Sequence, residues 1–187
     1  MSTAAANAAL SHMEIDDNPV SVKAKSRDFF WYSPVLKTRL DHLTADFVVA
    51  PKSEAEVIEV LKVAYTHEVP VTVRGAGTGN YGQAMPLAGG IILHMKNMAA
   101  VKEIHPGRVI AEPGCLIKDL DAATKAQSGQ ELRMHPSTWA TATIGGFISG
   151  GLSRFFDTST PCSVWIAKAE HSSIGPRSAA LRLSSMA

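Results

Sequence analysis

The residues best suited to bind a charged ligand lie in a glycine-rich stretch, residues 75–82, which we call the glycine loop. It contains Gly75, Gly77, Gly79 and Gly82, and glycine tolerates tight bends and lets a ligand approach the main chain. Glycines at 75, 77 and 79 allow several successive N–H groups to point into one concavity, which suits a phosphate group. A flexible hinge that binds nothing explains the loop alone equally well.

Three side chains of this region can add polar contacts, and each has a second interpretation. Arg74 either neutralises a phosphate or ends a strand at the surface. The hydroxyl of Thr78 and the amide of Asn80 can donate hydrogen bonds to an anion, with the same ambiguity. The residue types therefore favour an anion site without deciding it.

Residues 77–82 also match the G-x-G-x-x-G pattern of dinucleotide-binding Rossmann folds. That fold needs a helix to begin inside the motif, so that its N-terminus faces the pyrophosphate. Pro86 and Gly89–Gly90 leave no room for such a helix before the next strand. The acidic residue near the expected distance, Glu103, opens no second βαβ strand, and no Gly-Lys-Ser/Thr is present, so we reject the Rossmann and Walker-type interpretations.

Hydrophobic periodicity indicates the elements that position this loop. Residues 47–50 form a short apolar run, and Val71–Arg74 is a second β-rich run. Between them, Ser53 and Glu56 form a capping box ahead of a helix. The predicted apolar face of this helix comprises Val57, Ile58, Leu61, Ala64 and Tyr65. Residues 47–74 therefore predict a βαβ unit with a parallel pair of strands, and the glycine loop leaves the end of the second strand.

The downstream sequence continues to mix strands and helices. Residues 91–93 with His94 and Met95 predict a third strand and residues 109–111 a fourth, separated by a turn at Pro106–Gly107. Apolar positions from Leu116 onward predict a helix that ends near Gly129.

Composition restricts the partners and the compartment. A chain of 187 residues has room for one domain with a modest appendage. Its 18 basic and 17 acidic residues leave a formal net charge of +1, which favours neither nucleic acid nor an acidic membrane as a partner. Cys115 and Cys162 lack metal-site spacing and predict inert thiols. No membrane-spanning run or secretory signal is visible, and we expect a cytoplasmic protein without a metal site.

The two ends of the chain differ from its middle. Residues 1–45 begin as an Ala/Ser/Asn-rich stretch, expected to be a mobile arm, and become aromatic at residues 29–32. Packing is the favoured interpretation of these aromatic residues, and ligand binding is the alternative. Residues 152–187 are rich in serine and have no clear period apart from an apolar run at 164–167. We expect this tail to be foreign to the domain at 46–151.

Five motifs taken together are more specific than the glycine loop alone. In chain order they are PVTVRGAGTG at 70–79, PLAGG at 86–90, AEPG at 111–114, HPST at 135–138 and ATIGG at 142–146. In this order and spacing they resemble the FAD-binding domain of the vanillyl-alcohol oxidase and p-cresol methylhydroxylase (PCMH) flavoprotein superfamily. Within it, they are most similar to the branch of FAD-linked oxidases that resemble the glycolate oxidase subunit and D-lactate dehydrogenase.

The resemblance implies an α+β, PCMH-type FAD-binding domain of two α/β subdomains, the second incomplete, with FAD extended between them. The first loop would hold the pyrophosphate through main-chain amides, and two later segments would line the flavin and ribityl side. The cofactor-binding residues that it implies are Arg74, Gly75, Ala76, Gly77, Thr78, Gly79, Asn80, Pro136, Ser137, Thr138, Thr143, Ile144, Gly145 and Gly146.

Two features of the loop depart from some or most members of the superfamily. Thr78 stands where some members have the histidine that tethers FAD covalently, so we expect noncovalent FAD. Asn80–Tyr81 and Gln83 replace the commoner Leu-Ser and Gly, which bears on the shape of the loop.

The function implied by the resemblance is FAD-linked oxidation of a 2-hydroxy acid or related alcohol, such as D-lactate or glycolate. The alternative is a non-catalytic fragment or an FAD- or nucleotide-binding module, because no substrate cap is recognisable in the sequence. No catalytic residue is assigned: His94 and His135 are more often structural, and Cys162 with His171 lacks a third catalytic group. The partners would be a small-molecule substrate and an electron acceptor, and neither the acceptor nor the oligomeric state follows from the sequence.

Overall fold

The computed structural model describes residues 3–132 and 134–150, together with the backbone of two short strands further on. The chain divides into two compact units, Met1–Asn97 and Met98–Ala187, and each is described by itself. The predicted division at residues 45 and 151 stays a prediction.

The first unit contains a four-stranded sheet with helices before and between its strands. The strands are β1 (Ile15–Asp16), β2 (Phe47–Val49), β3 (Val71–Arg74) and β4 (Ile91–His94). Their order in the sheet is β1-β2-β4-β3; β4 is parallel to both β2 and β3, and β1 is antiparallel to β2. The helices are α1 (Thr3–Ala9), α2 (Pro19–Lys25), α3 (Pro34–Leu40) and α4 (Glu54–Thr66), with 3-10 turns at Phe30–Tyr32 and Met95–Asn97.

The three strands predicted in this unit are confirmed, but their predicted pairing is wrong in one respect. β2 and β3 are not neighbours, because β4 lies between them. Ile91, Ile92 and Leu93 of β4 are almost completely buried, as expected of a central parallel strand that is covered on both faces. The βαβ connection therefore leaves a gap of one strand, which the later β4 fills.

Helix α4 begins as predicted, and the face that it buries overlaps the predicted one only in part. The Ser53 hydroxyl accepts a hydrogen bond from the Glu56 N–H at 3.2 Å, and the Glu56 carboxylate accepts one from the Lys52 N–H at 2.7 Å. The buried residues are Val57, Val60 and Ala64. The sequence pattern placed Leu61 and Tyr65 on the buried face, yet they are 41% and 88% exposed. The face that packs instead contains Val57 and the residues three and seven positions after it.

The segment ahead of the domain is folded, so the prediction that its Ala/Ser/Asn-rich start is a mobile arm is wrong for the described residues of that stretch. Ala6 in α1 and Leu10 after it are completely buried, and β1 extends the sheet by pairing with β2. The Asn18 side chain caps α2 by accepting from the N–H groups of Val20 and Ser21. These contacts make the segment part of the first unit.

The second unit is built on an antiparallel sheet. Its strands are β5 (Val101–His105), β6 (Arg108–Ala111), β7 (Ile166–Ala167) and β8 (Ala179–Arg182), in the order β5-β6-β8-β7. Gly107 has a φ of +71° in the turn between β5 and β6. The turn and β6 were predicted, whereas β5 was missed because its charged and polar residues break the apolar pattern. The predicted run at 164–167 overlaps β7; apart from β7 and β8, the serine-rich tail lies outside the described residues.

Two helices complete the described part of the second unit. α5 (Ile117–Ser128) ends as predicted, with Gly129 in the left-handed conformation at φ +66°. α6 (Ile144–Ser149) has Thr143 as its N-cap. The buried core of the unit comprises Val109, Ala111, Cys115, Ile117, Leu120, Leu132, Ala142 and Ile144. The mixture of helices with one mainly parallel and one antiparallel sheet confirms the α+β class.

In the part of the chain that the structure describes, none of the helices has the length and hydrophobicity needed to cross a membrane.

Candidate functional site

The chain between Arg74 and Ile91, which begins with the glycine loop, contains no helix: it consists of bends, turns and irregular backbone. This confirms the rejection of a Rossmann motif, since the dinucleotide fingerprint needs a helix N-terminus inside the motif. Any anion bound here must therefore be held by loop amides and side chains.

Arg74 lies beneath the loop and does not point into solvent. It is the last residue of β3 and is 8% exposed, and its Nη1 donates to the main-chain oxygen of Arg27 at 2.7 Å. Burial lowers the pKa of the Arg74 guanidinium, and the charge of Asp28 acts in the opposite direction. The interpretation of Arg74 as a surface strand end is therefore wrong.

Gly77 is required by its conformation and by the space around it. Its φ is +68°, in the left-handed region that favours glycine. A Cβ atom built at this position would collide with the guanidinium group of Arg74. The loop thus passes directly over the buried arginine because residue 77 has no side chain.

Asp28 is a buried residue of this region that sequence reasoning missed. Its Oδ2 accepts a hydrogen bond from the Gly82 N–H at 2.9 Å, and its Oδ1 accepts one from the Phe30 N–H at 2.8 Å. The Phe29 N–H donates to the Gly79 carbonyl at 2.8 Å. Asp28 belongs to none of the five motifs and lies far from the loop in sequence, and no local pattern indicates its contact with the loop.

The middle of the glycine loop leaves its own amides unused. Among the described residues, none accepts a hydrogen bond from the main-chain N–H groups of residues 76–80. The neighbouring Tyr81 N–H donates to the Gln83 side chain at 2.9 Å. A run of N–H groups without protein acceptors, above a buried cation, fits the binding of a pyrophosphate.

The 136–146 segment, by contrast, uses many of its amides within the second unit. The Ala142 N–H donates to Thr138 O at 2.8 Å, Ile144 N–H to Cys115 O at 2.8 Å and Gly145 N–H to Pro113 O at 2.9 Å. A Cβ built at Gly145 would lie 2.7 Å from the Pro113 Cβ, so this glycine permits close packing of α6.

The predicted site residues fall into two groups, one in each unit. Residues 74–80 come together in and under the glycine loop of the first unit. Residues 136–138 form a turn and residues 143–146 the start of α6 in the second unit. Ile144 is almost completely buried in the core of that unit, so its side chain contacts core residues, while Ser137 and Gly146 are exposed.

Two histidines and one cysteine near these groups differ in their chemistry. His94 faces Arg74 across the β3–β4 pairing. Burial above all, and then the charges of Arg74, Lys25 and Lys96, lower the pKa of His94 to about 4, so the ring is neutral near pH 7.

Burial, with the charges of Asp119 and Glu112, raises the pKa of Cys115 to about 11, which confirms an inert thiol for that cysteine. His135 is exposed and its ring centroid lies 5.7 Å from that of Trp139. The pair Cys162 and His171 lies outside the described residues.

The aromatic patch at residues 29–32 is only partly a packing feature. Phe30 is completely buried, as the favoured interpretation requires. Phe29, Trp31 and Tyr32 are 39%, 44% and 66% exposed and contact one another, with 4.1 Å between the ring centroids of Trp31 and Tyr32. Packing therefore explains Phe30 but not its three neighbours.

Residues 45–160 match the family described as FAD binding domain, which is more than half of the chain. The chain is 35% identical to the glycolate oxidase subunit GlcD of Bacillus subtilis over 112 residues, covering 57% of this chain and 24% of that protein. It is 38% identical to a D-lactate dehydrogenase of Archaeoglobus fulgidus over 103 residues, covering 54% of this chain and 23% of that protein. The chain thus spans about a quarter of the length of these relatives.

The fold also occurs in solved structures. p-Cresol methylhydroxylase with bound substrate superposes with a TM-score of 0.63 at 16% identity, covering 78% of this chain and 28% of that one. Together with the family match, this likeness confirms the resemblance to the PCMH superfamily that the five motifs indicated.

Proposed function

The chain belongs to the FAD-binding domain family, and from this premise we propose that the glycine loop binds the pyrophosphate of a noncovalent FAD. The observation that carries the proposal is the run of N–H groups at residues 76–80, which have no acceptor in the described part of the chain and lie above the buried Arg74. Main-chain N–H groups and one buried cation can compensate the charge of a pyrophosphate without a cluster of lysines.

The 136–146 segment is proposed to contact the flavin and ribityl parts of the cofactor. Its exposed residues, such as Ser137 and Gly146, are available for such contacts. Thr143 and Ile144 are buried, so we assign them to the support of this surface.

The reaction proposed for the whole protein is oxidation of a 2-hydroxy acid such as D-lactate or glycolate. The names of the two relatives, a glycolate oxidase subunit and a D-lactate dehydrogenase, support this class of substrate. FAD would accept the hydride equivalent that leaves the substrate carbon. His94 is assigned no acid role, because its lowered pKa keeps the ring unprotonated near neutral pH.

Titration of the purified chain with FAD, followed by flavin fluorescence and absorbance, tests cofactor binding. We expect saturable binding, and we expect acid precipitation to release the flavin into the supernatant because Thr78 cannot form a histidyl link. Flavin that stays with the precipitated protein would show that the cofactor is covalent.

The same flavin bands separate the enzyme from the non-catalytic alternative. Under anaerobic conditions, bleaching by D-lactate or glycolate supports an oxidoreductase. Bands that bleach with dithionite but with neither hydroxy acid support a cofactor-binding module without turnover.

A further inference from the structure

Asp28 is a buried carboxylate that contacts the glycine loop from a distant part of the sequence. It is 5% exposed and precedes the 3-10 turn Phe30–Tyr32. Both of its oxygens accept hydrogen bonds from main-chain N–H groups, one from Phe30 and one from Gly82. The bond to Gly82 joins residues 54 positions apart, so it fixes the tertiary position of the loop.

Two further hydrogen bonds connect the same stretch to the loop. The Arg74 guanidinium donates to Arg27 O, and the Phe29 N–H donates to Gly79 O. Residues 27–29 are therefore hydrogen-bonded to Arg74 just before the loop, to Gly79 in its middle and to Gly82 at its end. Of these three residues, Asp28 is the one whose side chain accepts a hydrogen bond from Gly82. The negative charge of the same carboxylate attracts the Arg74 guanidinium.

We infer that Asp28 is a positioning residue for the FAD site: by holding the Gly82 N–H, its carboxylate sets the path of the glycine loop. The direction of the free N–H groups at residues 76–80 then depends on a side chain whose two oxygens bond to the N–H groups of Phe30 and Gly82. The inference rests on the proposed function for the identity of the ligand. The position of the loop, however, can be measured in the absence of FAD.

Amide hydrogen exchange of the full chain without FAD, followed residue by residue by NMR, tests the loop contact directly. In the wild-type chain the Gly82 N–H should exchange slowly. In Asp28→Asn, which loses the charge and replaces one oxygen by NH₂, its exchange should be at least about tenfold faster, because a hydrogen bond to a charged acceptor is lost.

The matched control is Asp46→Asn. The Asp46 carboxylate accepts the N–H of Gly90 at 2.7 Å, which is the same type of bond at the other end of the connection to β4. This variant should accelerate exchange at Gly90 and leave Gly82 unchanged.

FAD titration and thermal melting of both variants separate positioning from general stability. Asp28→Asn should weaken FAD binding by about tenfold or more, whereas Asp46→Asn should change it by less than about twofold. If FAD affinity instead followed the melting temperature in both variants, the effect would be one of stability and the inference would be wrong.

The other possible outcomes bear either on the role of Asp28 or on the proposed function. Unchanged Gly82 exchange in Asp28→Asn, or faster exchange with unchanged FAD affinity, overturns the role of Asp28. A wild-type chain that binds no FAD overturns the proposed function, while the exchange at Gly82 still reports on the loop contact. If Asp28→Asn does not fold, the wild-type chain decides: a slowly exchanging Gly82 N–H supports the contact and a fast one overturns it.

Discussion

The glycine loop and the 136–146 segment are both rich in small residues, yet they are held in different ways. The loop is tied by Arg27, Asp28 and Phe29, and the N–H groups in its middle find no acceptor among the described residues. At the start of α6, the N–H groups of Ile144 and Gly145 donate to the carbonyls of Cys115 and Pro113. Main chain that already binds its own unit has fewer donors left for a ligand, which is why we propose the glycine loop for the anion site.

The glycines of the two regions also serve different purposes. Gly77 adopts a left-handed conformation and lies against a buried charge. Gly145 packs against the main chain and ring of Pro113 without a left-handed φ. The first glycine shapes a candidate binding loop, and the second allows a helix to pack closely.

The largest effect is expected from Gly77→Ala. A left-handed φ costs an alanine about 1–2 kcal/mol, and displacement of the Arg74 guanidinium costs about 1–3 kcal/mol more. We expect the free energy of unfolding, measured by urea denaturation, to fall by about 2–5 kcal/mol, with loss of FAD binding.

Gly89→Ala is the matched control for this variant. Gly89 has a φ of +70°, but a Cβ there would meet the Asp46 carboxylate at an ordinary 3.5 Å. It should cost about 1–2 kcal/mol only. Equal losses in the two variants would remove the contact with Arg74 as a reason for glycine at 77.

In the second region, Gly145→Ala should lower the free energy of unfolding by about 1–3 kcal/mol, because α6 must move away from Pro113. Gly146→Ala, one residue on, should change it by less than about 0.5 kcal/mol. Its Cβ would meet only the Thr143 hydroxyl at 3.1 Å, and alanine favours the helix. Comparable losses in both variants would contradict the packing role of Gly145.

His94 offers a smaller, pH-dependent test in the first unit. Its pKa falls from 6.5 in the unfolded chain to about 4 in the folded one, so the unfolded state binds the proton first as pH falls. The contribution of His94 to stability is therefore complete above about pH 6.5 and is lost as pH falls towards 4. After allowance for partial solvent access we expect a loss of about 1–2 kcal/mol.

Urea denaturation of the wild-type chain and of His94→Gln at pH 7.5 and pH 4.5 measures this contribution. The variant should lose less stability than the wild type between the two pH values. An equal loss would show that other groups account for the acid sensitivity.

The smallest effect is expected at Cys115 in the second unit. Its pKa of about 11 and its burial should protect it from iodoacetamide at pH 8 in the folded chain. Peptide mass spectrometry should detect alkylation of Cys115 only after unfolding in urea. Rapid alkylation of the folded chain would indicate that the core beside α6 opens readily.

The sequence was sufficient to predict the features that depend on local pattern. The cap of α4 at Ser53, the left-handed Gly129 after α5 and the absence of a helix after Arg74 all follow from residue type and near neighbours. Each of these is decided within one or two turns of chain, where propensity and capping act.

The features that the sequence did not predict depend on tertiary contacts. Nothing near Asp28 indicates that its carboxylate bonds to Gly82, and nothing in β2 or β3 indicates that β4 separates them. The burial of Val60 in place of Leu61 depends on how α4 packs. The motifs indicated the loop amides that we propose for the ligand, whereas the contact of Asp28 with the loop was visible only in three dimensions.

The position of β4 has a consequence for how the first unit forms on the ribosome. β4 is the last strand of this unit to be synthesised, yet it pairs with both β2 and β3. Until His94 has emerged, β3 has no strand neighbour among the described elements, and one edge of β2 is open. A nascent chain that stalls before Ile91 therefore exposes unpaired strand edges, and exposed edges can recruit other chains.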